Sequence, residues 1–125
     1  MIANDNDPFG GVIYSYTRKQ AINDGVLVDL SNYDVSKQHW KLPIACTDTL
    51  WQTIEAVMRQ DDSQDISGIL HDISTMAKLQ IRGADTSDVV LFDVKLGKEI
   101  HKLKLHMGPG DTSDPVLTLM FSDED

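Results

Sequence analysis

Apolar residues recur at helical spacing in two stretches of this chain and at every second position in a third. Leu50, Trp51, Ile54, Val57 and Met58 form one stripe along a predicted helix. Thr47 is its N-cap, and Asp48 lies in the first turn, where the helix dipole favours negative charge. A second helix carries the cleaner stripe Ile66, Ile69, Leu70, Ile73, Met76 and Ala77. The polar hinge Asp61-Asp62-Ser63-Gln64-Asp65 separates the two, and Asp65 is placed to cap the second. Gly68 inside that helix costs about 1 kcal/mol relative to alanine and is expected to mark close packing.

The last third alternates instead. Between Ile100 and Met107, Leu103, Leu105 and Met107 share one face and Lys102, Lys104 and His106 the other, the pattern of a half-exposed antiparallel strand. Val89 to Leu96 is apolar on both faces in its first half, as a central strand would be. After the turn-rich stretch from Gly108 to Asp114, Pro115 to Phe121 reads as a third strand, with proline tolerated at its first position. The exposed edge of this terminal strand is expected to be able to pair with a second copy, giving a homodimer.

The front of the chain reads as a strand, a helical turn and another strand. Gly11 to Tyr16 places Val12, Tyr14 and Tyr16 on one face. Thr17 is an N-cap, Gln20 completes a capping box three residues on, and Gly25 supplies a left-handed stop. Val26 to Leu30 is short and extended. Asp34 to Trp40 makes one more helical turn, which Leu42-Pro43 ends. The predicted class is α+β: a three- to four-stranded antiparallel sheet, built on the C-terminal meander and packed on two long helices, with a short N-terminal strand-helix-strand unit.

With 125 residues the chain is expected to be a single domain spanning residues 1–125, with 1–7 and 122–125 flexible. Its hydrophobic content of 41% suits a packed core. No apolar run approaches the roughly 18 residues of a membrane span, and the polar start lacks the pattern of a signal peptide. A single cysteine rules out an internal disulfide framework, and a cytoplasmic setting is expected. The 20 acidic residues against 11 basic ones leave a formal net charge of −9. That argues against direct nucleic-acid binding, which needs clustered cations. It suits a basic protein surface as partner, or simply solubility.

Candidate chemistry is sparse. Cys46 precedes a helix N-terminus, where a dipole can lower a thiol pKa, but a lone cysteine beside Ala45 also fits a small buried hydrophobe. Of the four histidines, His101 and His106 are expected on opposite faces of one strand, and no HxH or HExxH spacing occurs, so no metal site and no cofactor are expected. Gly108-Pro109-Gly110 offers backbone amides to an anion, but a strand rather than a helix follows, which favours a tight hairpin loop. Arg18 in the first turn and Asp24 in the last of the short helix both have the wrong sign for the helix dipole. The expectation is that Arg18 pairs with a remote acidic group, Asp29 or Asp111, so that the turn at Thr17-Arg18 meets the loop at Gly110-Asp111.

The stretches Phe9 to Ile13, Tyr16-Thr17-Arg18, Gln20-Ala21-Ile22 and Asp24 to Asp29, together with Gly108-Pro109-Gly110-Asp111, Pro115-Val116 and Thr118, resemble the opening and closing motifs of a family of small uncharacterised bacterial proteins carried on plasmids and phages. Pro43, Ala45, Thr47 and Trp51 fit it in the middle. The resemblance implies a mobile-element setting and no reaction. Two readings stay open. The first is a non-enzymatic acidic interaction protein that binds a host protein, inhibiting a defence or nucleic-acid-binding complex by presenting carboxylates where phosphates would sit; Asp61, Asp62, Asp65, Asp123, Glu124 and Asp125 are available for this. The second is a binder of a small anionic ligand, or an enzyme, with Tyr16, Thr17, Arg18, Gly108 and Gly110 forming the site and Asp29 or Asp111 as acid/base.

Overall fold

The computed structural model describes residues 16–83 and 88–124. The segment 1–7, expected to be flexible, and the expected N-terminal strand over residues 11–16, apart from Tyr16, fall outside these. Among the described residues there are four helices, α1 (Arg18–Asn23), α2 (Asp34–His39), α3 (Asp48–Gln60) and α4 (Ile66–Gly83). Five strands accompany them: β1 (Leu27–Asp29), β2 (Ile44–Thr47), β3 (Val89–Leu96), β4 (Glu99–Pro109) and β5 (Pro115–Phe121). The class is α+β, as the patterning predicts.

The sheet is larger than expected and mixed rather than antiparallel, with strand order β1-β2-β5-β4-β3. The difference comes from β2. Ile44, Ala45 and Cys46 pair in parallel with Leu117, Thr118 and Leu119 of β5, while Val28 and Asp29 of β1 pair antiparallel with Cys46 and Ala45. Two expectations fall with this. β5 is interior, held by β2 on one side and β4 on the other, so the terminal strand has no open edge for a second copy. β3, read as central, is an edge strand instead, and the apolar residues of its first half that suggested burial, Val89 and Leu91, are exposed.

One face of the sheet is covered as predicted. Phe92, Val94, Leu96, Leu103, Leu105, Leu117 and Leu119 point into a continuous core with Leu50, Ile54 and Val57 of α3 and Ile69, Leu70, Ile73 and Ala77 of α4. The helix stripes bury because apolar area removed from water stabilises by roughly 25 cal/mol per Å². Local signals set the helix ends: Thr47 Oγ1 accepts the Leu50 amide at 3.3 Å, and Asp65 Oδ1 accepts the Gly68 amide at 2.7 Å. The β3–β4 hairpin closes at Gly97, whose φ of 65° suits glycine. α2 leans on α4, where Trp40 Nε1 donates to the buried Ser74 hydroxyl at 2.9 Å. No helix among the described residues is long and apolar enough to cross a membrane.

Candidate functional site

α1 is six residues long, too short to hold itself in water. Its stability comes from its ends. Thr17 Oγ1 accepts the Gln20 amide at 3.0 Å, and Gln20 Oε1 accepts the Thr17 amide at 2.8 Å, which completes the capping box. Gly25, at φ 81°, turns the chain out of the helix toward β1. Tyr16 spans the helix from outside, its hydroxyl donating to Asp24 Oδ2 at 2.7 Å. Asp24 therefore serves a side-chain partner, which explains its unfavourable position at the helix C-terminus.

A capping box satisfies only one of the first three helical amides. The other two are met from the far end of the chain. Asp111 Oδ1 accepts the Arg18 amide at 2.6 Å and Oδ2 the Lys19 amide at 3.0 Å. The negative charge that the helix start lacks in its own sequence is thus supplied across the fold. The loop that carries Asp111 is shaped for this. The Gly110 amide donates to the Asp114 carbonyl at 3.0 Å, and the Asp114 amide to Thr112 Oγ1 at 3.2 Å. A Cβ at Gly110 would lie 2.9 Å from Val116 Cγ1, and one at Gly108 2.9 Å from the His106 ring, so both glycines permit close approaches.

The Arg18 side chain enters the sheet rather than solvent. Its Nη1 donates to Thr118 Oγ1 at 2.8 Å and its Nη2 to the Leu117 carbonyl at 2.7 Å. Burial lowers its pKa from the ordinary value, while the charges of Asp29 and Asp111 oppose that shift. The expected ion pair is therefore not formed: the guanidinium spends its bonds on β5, Asp111 takes the backbone amide of Arg18 instead, and Asp29 and Asp111 act on the guanidinium only through their field. Asp29 itself accepts the Ser31 amide at 3.0 Å.

The structure brings Tyr16, Thr17, Arg18, Gly110 and Asp111 together around an open cleft of about 300 Å³, completed by Leu27 and Pro109. Gly108 and Asp29 are not in its lining. The amides that an anion would need are already given to Asp111, Thr17 and Asp114. A larger cleft, about 530 Å³, lies between α3 and the β3–β4 turn, with Val57, Gln60, Asp61, Lys98, Glu99 and His101 among its lining residues. The sequence reading missed it, since nothing local says that the end of α3 meets that turn.

The other candidates separate. Cys46 is fully buried in β2, and its thiol pKa is pushed up to about 12 by burial first, then by Asp48 and Glu124. The expected helix-dipole effect is outweighed, and the thiol is not a nucleophile near neutral pH. His101 and His106 take opposite faces of β4: His101 packs tilted on Phe121 with its ring centroid 5.6 Å away, and His106 pairs with exposed Val89. His39 and His71, 32 residues apart, lie in contact at 3.0 Å, a meeting no spacing rule would find. Among the described residues no group of three or more His, Cys, Asp or Glu could hold a metal ion. In the hinge, Asp61 Oδ1 accepts both the amide and the hydroxyl of Ser63, and these bonds, the hydroxyl's first, lower its pKa. Near the C-terminus, Glu124 Oε2 accepts from Thr47 Oγ1 at 2.9 Å and from the Phe121 amide at 2.7 Å, and Lys104 donates to the Glu124 carbonyl. These bonds hold residues 122–124, expected to be flexible, against the sheet. Asp125 lies outside the described residues.

The chain belongs to DUF6573, a family of unknown function, which it matches over residues 6–125. No curated protein and no solved structure matches it.

Proposed function

We propose that this chain is a non-enzymatic accessory protein of a mobile genetic element that works in the cytoplasm by binding a host protein through charge. In its most concrete form the partner is a basic, nucleic-acid-binding protein or defence complex, whose phosphate-binding surface the carboxylates occupy. One observation carries this reading. The amides of Arg18, Lys19, Gln20 and Gly110 are bonded to the chain itself, while much of the acidic excess is left at the surface. Asp62 and Asp123 are exposed, near opposite ends of α3. A 13-residue helix is roughly 20 Å long. That separation covers several phosphate steps of a nucleic-acid strand at about 3.4 Å each.

Affinity capture from host lysate at low and moderate salt tests this, with wild type beside Asp62→Lys/Asp123→Lys. The expected result is a stoichiometric basic protein that is released as salt rises and binds the variant more weakly. A partner indifferent to both salt and the variant, or no protein partner at all, contradicts it.

The cleft between Thr17-Arg18 and Gly110-Asp111 favours a second reading, a small anionic ligand gripped by Arg18 with Asp29 or Asp111 as acid/base. It requires the ligand to displace the Asp111 carboxylate from α1. Native mass spectrometry of the purified protein, looking for a co-purified metabolite, separates the two.

A further inference from the structure

Among the described residues the sheet ends on β3, eight residues long, whereas the opposite edge strand β1 has three. The pairing of β3 with β4 fixes which backbone groups are spent. The Met107 amide donates to the Asp88 carbonyl, and Val89 stands opposite His106, so the even-numbered residues of β3 form the hydrogen-bonded pairs with β4. The amides and carbonyls of Leu91, Asp93 and Lys95 therefore point to the open edge, and none of the three finds a backbone partner there among the described residues. Their side chains share the sheet face away from α3 and α4. Leu91 is half exposed, and Asp93 keeps 61% of its side chain in solvent although Lys102 lies 3.7 Å away.

An edge that leaves the outward amides and carbonyls of Leu91, Asp93 and Lys95 unspent is a template for another strand. Its charges select the occupant. Opposite signs two residues apart are self-complementary when a strand meets its own copy antiparallel, because one register sets Asp93 against Lys95 of the copy and Lys95 against Asp93 of the copy. In that register both residues use their outward amides and carbonyls, and the two-fold axis passes at Val94. Moving the register by two residues one way sets Asp93 against itself, which like charge disfavours. We propose that β3 is a homodimerisation edge, joining a second copy of this chain antiparallel about Val94 into one ten-stranded sheet. The proposal is independent of the host-protein reading, which concerns the carboxylates at the ends of α3.

A charge-swap series read by sedimentation equilibrium tests it. Wild type is expected to form a dimer. Asp93→Lys alone, or Lys95→Asp alone, sets like charges together twice and is expected to weaken the dimer by about tenfold or more. Asp93→Lys/Lys95→Asp restores both pairs and is expected to restore the dimer. Circular dichroism of each variant checks that the exposed substitutions leave the fold intact. A wild type that stays monomeric up to millimolar concentration overturns the proposal. So does a dimer unaffected by the single reversals, or one that the double swap fails to restore.

Discussion

Asp111 caps a helix whose first residue, Arg18, lies 93 positions earlier in the chain, its Oδ1 accepting the Arg18 amide at 2.6 Å. The second oxygen takes the Lys19 amide, so one exposed carboxylate fixes the start of α1 and joins the two ends of the described chain. Asp111→Ala is expected to cost about 1–2 kcal/mol, the upper range for a cap. Asp111→Asn, which keeps one acceptor oxygen, should cost less. Chemical denaturation of the three proteins measures both.

Gly110 is argued from space, since a Cβ there would lie 2.9 Å from Val116 Cγ1. Gly110→Ala is expected to destabilise by about 1–3 kcal/mol through overpacking against a stiff β-branched side chain. The same substitution in a Val116→Ala background should cost clearly less. An equal cost in both backgrounds, measured by thermal unfolding, would show that Val116 is not the obstacle.

Cys46 gives a pH prediction. Its folded pKa of about 12 stands above the ordinary thiol value of 9.0, so the folded state holds the proton more tightly. The associated stability is fully present below about pH 9 and is lost as pH rises from there toward about 12. Cys46→Ala should flatten that part of the stability–pH curve, and a thiol-specific reagent should label wild type only as fast as it unfolds.

His39 predicts the opposite sign. Burial, then Lys78, then His71 lower its pKa from 6.5. With Lys78 donating to Nδ1 at 3.4 Å, His39 carries its proton on Nε2 and gives it to His71 Nδ1. The unfolded chain takes up the extra proton first, so stability falls as pH drops below about 6.5. His39→Asn should reduce that slope, read as melting temperature against pH.

Much of this fold is written locally. The stripes of α3 and α4, their caps at Thr47 and Asp65, the capping box at Thr17 and the alternation of β4 each depend on neighbours within a few residues, and each is seen in the structure. β2 is not local. Ile44 to Thr47 is four residues between a proline and a helix cap, too short to show a period, and its parallel partner β5 lies more than 70 positions away. Missing β2 made β5 an edge strand, whereas β3 was placed inside the sheet by the apolar residues of its first half, such as Val89 and Leu91, which are exposed. For the candidate site, Arg18 and Asp24 stood out because their charges oppose the helix dipole; Arg18 proved to have partners on β5, and Asp24 a local one, the Tyr16 hydroxyl. That Asp111 would bind amides, and that the guanidinium would reach Thr118 and the Leu117 carbonyl, needs the β5 backbone in place.

The central claim is that the Thr17-Arg18 turn and the Gly110-Asp111 loop form one structural clasp. A double-mutant cycle of Arg18→Ala and Asp111→Ala, followed by equilibrium unfolding, tests it most directly. Each alone should destabilise by about 1 kcal/mol or more, Asp111→Ala by freeing two helix amides and Arg18→Ala by losing its bonds to β5, and the double variant by more than either. Unchanged stability in both single variants would contradict the clasp and return these residues to the ligand-binding reading.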